Sequence, residues 1–568
     1  MKKKWVIKDR AAKELVAELS KQLNINPILT NLLIQRGHNT FEKAKEFFRP
    51  SINLLHDPFL MKDMEKAIYR VDKAIENGEK ILVFGDYDVD GTTAVALVYT
   101  FLKKRYENVA FYIPDRYKEG YGISNKGIDF AEENDFKLII ALDCGIKSID
   151  KIDYAKAKGI DFIICDHHRP GSEIPAAFAV LDPKRTDCEY PFKELSGCGV
   201  GFKLIQGYSE SHHIPSEELD EYLDLVAISI AADIVPITGE NRILTYYGLK
   251  RLNSSPRPGI KAILDLSGSK GGLTVNDVVF TIAPRINAAG RIESGNQAVE
   301  LLISECHDEA KFQGEEINKK NTTRKGLNES ITREALSLIE SDSEFKNRKS
   351  TVLYNPDWHK GVIGIVASKL TDEFYRPTII LTRSNGVASG SARSVKDFDI
   401  YNAIESCSDL LDQFGGHMYA AGLTMKVENI DAFKDRFEEI VSSTIEDRML
   451  IREIEIDDVI SLEDINASFF NVLKQFAPFG PGNMAPVFKS EEVYDRGDVR
   501  VVGNNHLKLS LIQKNHSRKV IDSIAFQLGA HFDRISGNEP FHVCYHVEEN
   551  NYNGRTNLQL NIKDINFE

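Results

Sequence analysis

Three apolar runs early in the chain each end in acidic or imidazole side chains, and this constrains the fold more than any other feature. Ile81-Leu82-Val83-Phe84 leads through Gly85 into Asp86-Tyr87-Asp88-Val89-Asp90-Gly91. Leu138-Ile139-Ile140-Ala141-Leu142 leads into Asp143, and Phe162-Ile163-Ile164-Cys165 leads into Asp166-His167-His168. Short continuous apolar runs bounded by turn residues predict buried strands. Further strands are expected near Val109-Ala110-Phe111 and Phe178-Ala179-Val180-Leu181, with helix-length stretches between them. That rhythm over residues 80–185 is the βαβ pattern of a parallel sheet. Such sheets bind ligands beyond the carboxyl ends of their strands, which is where the acidic clusters fall.

Carboxylates at this density repel one another and lose hydration when a fold confines them, and a divalent cation is the usual remedy. Mg²⁺ and Mn²⁺ prefer carboxylate oxygen, and imidazole shifts the preference toward Mn²⁺. Asp86, Asp88, Asp90, Asp143, His167 and His168 supply such donors, and Asp233, after the apolar helix expected over 226–232, is a further candidate. Two ions about 3.5–4 Å apart would suit a phosphodiester substrate. Asp166 reads either as a metal ligand or as a residue that caps the next turn or orients a histidine, and Asp90 either as a ligand or as the cap of a helix starting at Thr92. The pair His212-His213 lies in a polar stretch and reads as surface. Gly197-Cys198-Gly199-Val200-Gly201 lacks the strand and spacing of a dinucleotide fingerprint, and reads as a tight turn opening a helix at Phe202.

At 568 residues the chain is too long for one core. None of its seven cysteines forms a Cys-x-x-Cys pair, so neither a structural zinc site nor a disulfide framework is indicated. No apolar run is long enough to cross a bilayer and no signal-peptide core follows Met1-Lys2-Lys3-Lys4, so a cytoplasmic protein with no membrane partner is expected. The net charge of −14 leaves a polyanionic partner open, because a nucleic-acid groove needs only a local positive strip. The expected organisation is a helical segment over 1–75, a catalytic α/β domain over 76–305 and a long solvated helix over 306–345. A second α/β domain over 346–450 and short alternating strands over 451–568, of a length that fits an OB-type barrel, complete it.

The motifs Asp-x-Asp-x-Asp-Gly at 86–91, Asp-Cys-Gly at 143–145 and Asp-His-His at 166–168 resemble those of the DHH phosphoesterase superfamily. Gly415-Gly416-His417-Met418-Tyr419-Ala420-Ala421-Gly422 resembles the signature of the associated DHHA1-type substrate-binding domain. Pro478-Phe479-Gly480-Pro481-Gly482-Asn483 resembles the third domain of the superfamily's bacterial single-strand-specific exonucleases. The implied fold is α/β: a parallel-sheet DHH domain, a DHHA1-type domain joined by a long helix, and a C-terminal OB-type β-barrel. The implied activity is 5′-to-3′ hydrolysis of single-stranded DNA in recombination and repair, with two Mn²⁺ or Mg²⁺ ions. By the same resemblance the metal ligands are Asp86, Asp88, Asp90, Asp143, His167 and Asp233, and the catalytic set is Asp88, Asp143, His167, His168 and His417. A helicase or a single-strand-binding protein is the implied protein partner, and the chain is expected to be a monomer. Many superfamily members carry a histidine where this chain has Phe84, and some relatives continue into a further domain where this sequence ends.

On the substrate side, Ser389-Gly390-Ser391-Ala392-Arg393-Ser394 offers hydroxyls, backbone N–H groups and a guanidinium, and is expected to form an anion nest. Gly415 and Gly416 allow close backbone approach to a nucleotide, with His417 as a donor to phosphate. Arg116 and Arg291 are candidates for the terminal phosphate, each with an ordinary surface role as the alternative. Two competing readings are a phosphoesterase of the same superfamily acting on small molecules or short oligonucleotides, which the terminal β region disfavours, and a nuclease-dead binding subunit, which the full set of carboxylates disfavours.

Overall fold

The computed structural model describes residues 3–269, 271–342, 345, 347–513, 516–552 and 555–567. Met1 and Lys2 of the basic start, and residues 343 and 344 near the end of the expected linking helix, lie outside them.

The five expected strands form β2 (Lys80–Gly85), β3 (Val109–Tyr112), β4 (Phe136–Leu142), β5 (Asp161–Cys165) and β6 (Ala179–Leu181), all parallel in the order β3-β2-β4-β5-β6. Both faces are covered, which is why the runs are continuously apolar rather than alternating. Ile81, Val83, Leu138, Ile140 and Ile163 pack with α4 (Met64–Glu76), α5 (Val89–Lys103), α8 (Gly197–Ser211) and α9 (Leu223–Ala232). Leu82, Ile139, Ala141, Phe162 and Ile164 pack with α6 (Asn125–Glu133) and α7 (Ile149–Ala157) on the other face. Phe84 belongs to this second core and stacks on Tyr112 at 5.5 Å, so the side chain standing at the histidine position points away from the acidic clusters.

A 35-residue helix, His307–Ser341, leads to the second sheet. Its order is β10 (Gln413–His417), β11 (Ala420–Met425), β9 (Val387–Arg393), β8 (Thr378–Ser384) and β7 (Thr351–Tyr354), antiparallel except for β7–β8. In the C-terminal region β14 (Phe488–Asp495), β16 (His506–Gln513), β17 (His516–Ala525), β18 (Phe541–Tyr552) and β19 (Arg555–Asn566) curl until β14 pairs with β16, closing a barrel.

The N-terminal segment differs from the all-helical expectation. It opens with β1 (Lys4–Ile7), which pairs in parallel with β12 (Glu453–Ile456). Leu29, Leu32, Leu33 and Phe47 then share one apolar core with Phe476 and the barrel residues Phe488 and Val543. The chain therefore starts against its C-terminal region, and the stretch from Ile52 through α4 packs on the core of the first sheet. A truncation at Ile451 would strip these N-terminal side chains of their partners.

The Pro-Phe-Gly segment joins the barrel to the first domain. Pro481 O accepts Ile237 N–H at 2.6 Å, and Arg242 Nη2 donates to Ala477 O at 3.0 Å. A Cβ at Gly480 would lie 2.4 Å from Ile237 Cδ1, so glycine is needed for this approach. Among the described residues no helix is long and apolar enough to cross a membrane.

Candidate metal centre and phosphate cleft

The carboxyl ends of β2, β4 and β5 deliver Asp86, Asp143 and Asp166 to one side of the sheet, as the sequence predicts. Asp143 Oδ1 lies 3.1 Å from His167 Nε2, and the same nitrogen is 3.7 Å from Asp90 Oδ2 and 3.6 Å from Asp233 Oδ2. Two groups thus have the spacing of a metal site: Asp143, His167 and His168, and Asp90, His167 and Asp233. Among the described residues none of these aspartates has a lysine or arginine within ion-pair distance.

The site carries its own test of whether cations fit. Asp86 Oδ2, Asp143 Oδ1 and both ring nitrogens of His167 are buried without a hydrogen-bond partner, although buried polar groups are normally satisfied. Burial, and then the neighbouring charges of Asp90, Asp88 and Asp233, push the Asp143 carboxyl well above the usual range. Burial and then Asp90 raise Asp233 to about 8. Burial and then Asp88 raise Asp86, while Gly122 N–H donates to its Oδ1 at 3.2 Å. Burial holds the His167 imidazole below its ordinary value, hence neutral and able to ligate. Unpartnered oxygens, an open imidazole and mutual repulsion are what Mn²⁺ or Mg²⁺ would relieve.

Asp166 has a different task. Its carboxylate accepts the backbone N–H groups of Ile146, His167 and His168, and lies 2.8 Å from His168 Nδ1. Burial works against ionisation, but the His168 bond and these N–H groups hold the carboxyl at about 2. The same bond overcomes burial at His168 and raises its imidazole to about 9, while its Nε2 faces the Tyr121 hydroxyl at 3.1 Å. Asp166 therefore both caps the turn that follows it and orients His168, rather than lying open for a metal.

One alternative is excluded and one local expectation corrected. Asp88, not Asp90, caps the helix after β2: its Oδ1 accepts Gly91 N–H at 3.0 Å and α5 begins at Val89. Asp90 lies in the first turn with its carboxylate turned toward α8. That helix opens at Gly197 rather than Phe202, capped by Ser196, because small residues there let its first N–H groups meet Asp90. Gly197 N and Cys198 N donate to Asp90 at 2.7 Å each. A Cβ at Gly197 would lie 2.6 Å from Asp143 Cβ. The glycine run therefore shapes the acidic site, a role the sequence alone did not signal.

Beside the cluster, with Tyr87 of the Asp86–Asp90 turn in its wall, is a cavity of about 420 Å³ lined by Arg116, Arg291, Arg393, Ser389, Ser391, Gly415 and Gly416. The expected nest is instead a strand. The backbone of Ser389–Arg393 pairs with β8 and β11 on either side, so its N–H groups serve the sheet rather than an anion. The strand's alternation places Ser389, Ser391 and Arg393 on one face, toward the cavity. Burial and then Arg116 lower the Arg393 guanidinium, and burial followed by Arg116, Arg324 and Arg393 lowers Arg291 to about 10. Arg116 stacks on Tyr87 at 4.9 Å. Three crowded guanidiniums facing a cavity call for a polyvalent anion. At Gly416, φ is +146° and a Cβ would meet Ala420 O at 2.3 Å. His417 is exposed at the strand end, outside the residues that line the cavity.

Residues 80–230 match the DHH family, N-terminal domain, residues 347–443 the DHHA1 domain and residues 456–564 the RecJ OB domain. The chain is 39% identical over 567 residues to the single-stranded-DNA-specific exonuclease RecJ of Bacillus subtilis (strain 168), an alignment covering 99% of this chain and 71% of that protein. The crystal structure of RecJ in complex with Mn²⁺ from Thermus thermophilus superposes with a TM-score of 0.85 at 28% identity, over 99% of this chain and 79% of that one. The Mg²⁺ complex from the same organism gives a TM-score of 0.79 at 26% identity, over 99% and 78%. By this extent of likeness the chain belongs to the RecJ family of single-stranded-DNA-specific exonucleases.

Proposed function

We propose that this protein is a cytoplasmic, monomeric exonuclease that removes nucleotides from the 5′ end of single-stranded DNA during recombination and repair. It would work beside a helicase or a single-strand-binding protein that presents the strand. The observation that carries the reading is the juxtaposition of an unneutralised carboxylate–imidazole cluster and a cavity lined by three arginines. Two Mn²⁺ or Mg²⁺ ions held by Asp86, Asp88, Asp90, Asp143, His167 and Asp233 would supply an activated water and neutralise charge on the scissile phosphate.

The chain's own groups do the rest. Arg116, Arg291 and Arg393 grip the terminal phosphate, with Ser389 and Ser391 as hydroxyl donors. The backbone of Gly415 and Gly416 leaves room for the nucleotide, and His417 stands at the rim as a donor. His168, kept protonated by Asp166, presents positive charge to the phosphate as negative charge develops on it. The 5′ polarity is supported by the family relationship and by a cavity suited to a terminal phosphate.

Digestion of single strands labelled at one end tests the polarity. A 5′ label should leave as mononucleotide at the earliest times, whereas a 3′ label should stay on shortening strands. Early release of the 3′ label would contradict the reading. Arg393→Ala should weaken single-strand binding and reduce the slope of log affinity against log salt by about 0.7, the contribution of one phosphate contact. An unchanged slope in a salt titration followed by fluorescence anisotropy would remove Arg393 from the phosphate grip.

A further inference from the structure

Among the proposed metal ligands Asp90 is the most firmly held carboxylate, and two buried serines outside the motifs help to hold it. Its Oδ1 accepts Cys198 N–H at 2.7 Å and lies 2.6 Å from Ser229 Oγ, while its Oδ2 accepts Gly197 N–H at 2.7 Å. Ser229 Oγ is also 2.6 Å from Ser196 Oγ. A serine hydroxyl has one proton to give, and an ionised carboxylate can only accept. Ser229 Oγ is the donor in both contacts, so the charged acceptor Asp90 takes the larger share of its one proton, and Ser196 Oγ buttresses the Ser229 hydroxyl from the other side. Ser196 still accepts Gly199 N–H at 3.1 Å as the cap of α8. All three side chains are buried, so water does not compete for these bonds.

This order decides which oxygen of Asp90 stays open. Each carboxylate oxygen has two lone-pair directions. Both on Oδ1 are taken, by Cys198 and Ser229, and one on Oδ2 is taken, by Gly197. The remaining direction belongs to Oδ2, the oxygen 3.7 Å from His167 Nε2. Ser229 also sits one turn before Asp233 on α9, and its carbonyl accepts Asp233 N–H at 2.9 Å. One hydroxyl thereby registers the helix that ends at Asp233 against the helix that carries Asp90.

We infer that Ser196 and Ser229 are positioning residues of the metal site: by fixing Asp90 with Oδ2 open and α9 in register, they set the affinity for the divalent cation. The inference rests on the proposed metal site. Its test is Mn²⁺ binding to the full chain without DNA, read by the loss of the free-ion electron paramagnetic resonance signal. Ser229→Ala should weaken Mn²⁺ binding about tenfold or more, the scale for residues that orient metal ligands, and Ser229→Thr, which keeps the hydroxyl, should restore it. Ser196→Ala should have a smaller effect, and the double alanine variant should bind no more weakly than Ser229→Ala alone, because the hydroxyls act in series. A merely structural role would lower the unfolding temperature and leave Mn²⁺ affinity alone. Should Ser229→Ala not fold, Ser229→Cys, close in volume and a weak donor, takes its place. Wild-type affinity in the variant lacking the Ser229 hydroxyl, or independent losses that add in the double variant, would overturn the inference. Failure of the wild-type chain to bind Mn²⁺ would overturn the metal-site reading itself, and the inference with it.

Discussion

Asp143→Ala is expected to reduce single-strand hydrolysis at least about a hundredfold while the protein stays folded, the scale for losing a group that stabilises transition-state charge. Asp143 directly follows β4, faces His167 at 3.1 Å and leaves an oxygen without a hydrogen-bond partner. Its carboxyl is raised by burial and by four neighbouring aspartates, so without metal its ionisation opposes folding. The metal-free variant should therefore unfold at or above the wild-type temperature. Mn²⁺, which should raise the wild-type unfolding temperature, should raise that of the variant much less, since a ligand stabilises a fold in proportion to its binding. A near-normal rate in this variant would place the chemistry elsewhere.

Gly197→Ala is the second large effect expected, from a residue with no chemistry of its own. The added methyl would lie 2.6 Å from Asp143 Cβ and 2.7 Å from Asp143 Oδ1, distances that force α8 or the carboxylate to move. The N–H of Gly197 also holds Asp90. Displacement of reacting groups by about 1 Å costs on the order of a hundredfold. Steady-state hydrolysis of a single strand should fall by about that much, with weaker Mn²⁺ binding. Full activity would show that the contact between α8 and β4 is looser than the structure has it.

The legibility of this site followed the range of the interactions involved. Asp143 and His167 were readable because each directly follows an apolar run, a local pattern. The grip of Gly197 and Cys198 on Asp90 spans more than a hundred residues of sequence, and glycines, having no side chain, announce a close approach without naming the partner. The same limit hid Ser196 and Ser229, which look like an ordinary cap and an incidental polar residue in an apolar helix. The sequence groups Ser389, Ser391 and Arg393, but as a nest. Small residues carry little strand propensity, and only their pairing with β8 and β11 shows that alternation, not curvature, gathers the side chains. The sharing of one core by Leu32, Phe47 and the barrel joins opposite ends of the chain, which no local pattern records.

The most direct test of the whole account is hydrolysis by protein stripped with EDTA and then given Mn²⁺ or Mg²⁺, on a single strand and on a blunt duplex of the same sequence. The strands carrying Gly415 and Gly416 back the cleft between the two α/β domains, and the proposed activity requires one strand to enter it where a wider duplex does not. The prediction is no hydrolysis in EDTA, recovery with either cation, degradation of the single strand to mononucleotides and persistence of the blunt duplex. Undiminished hydrolysis in EDTA, or digestion of the blunt duplex at the single-strand rate, would contradict it.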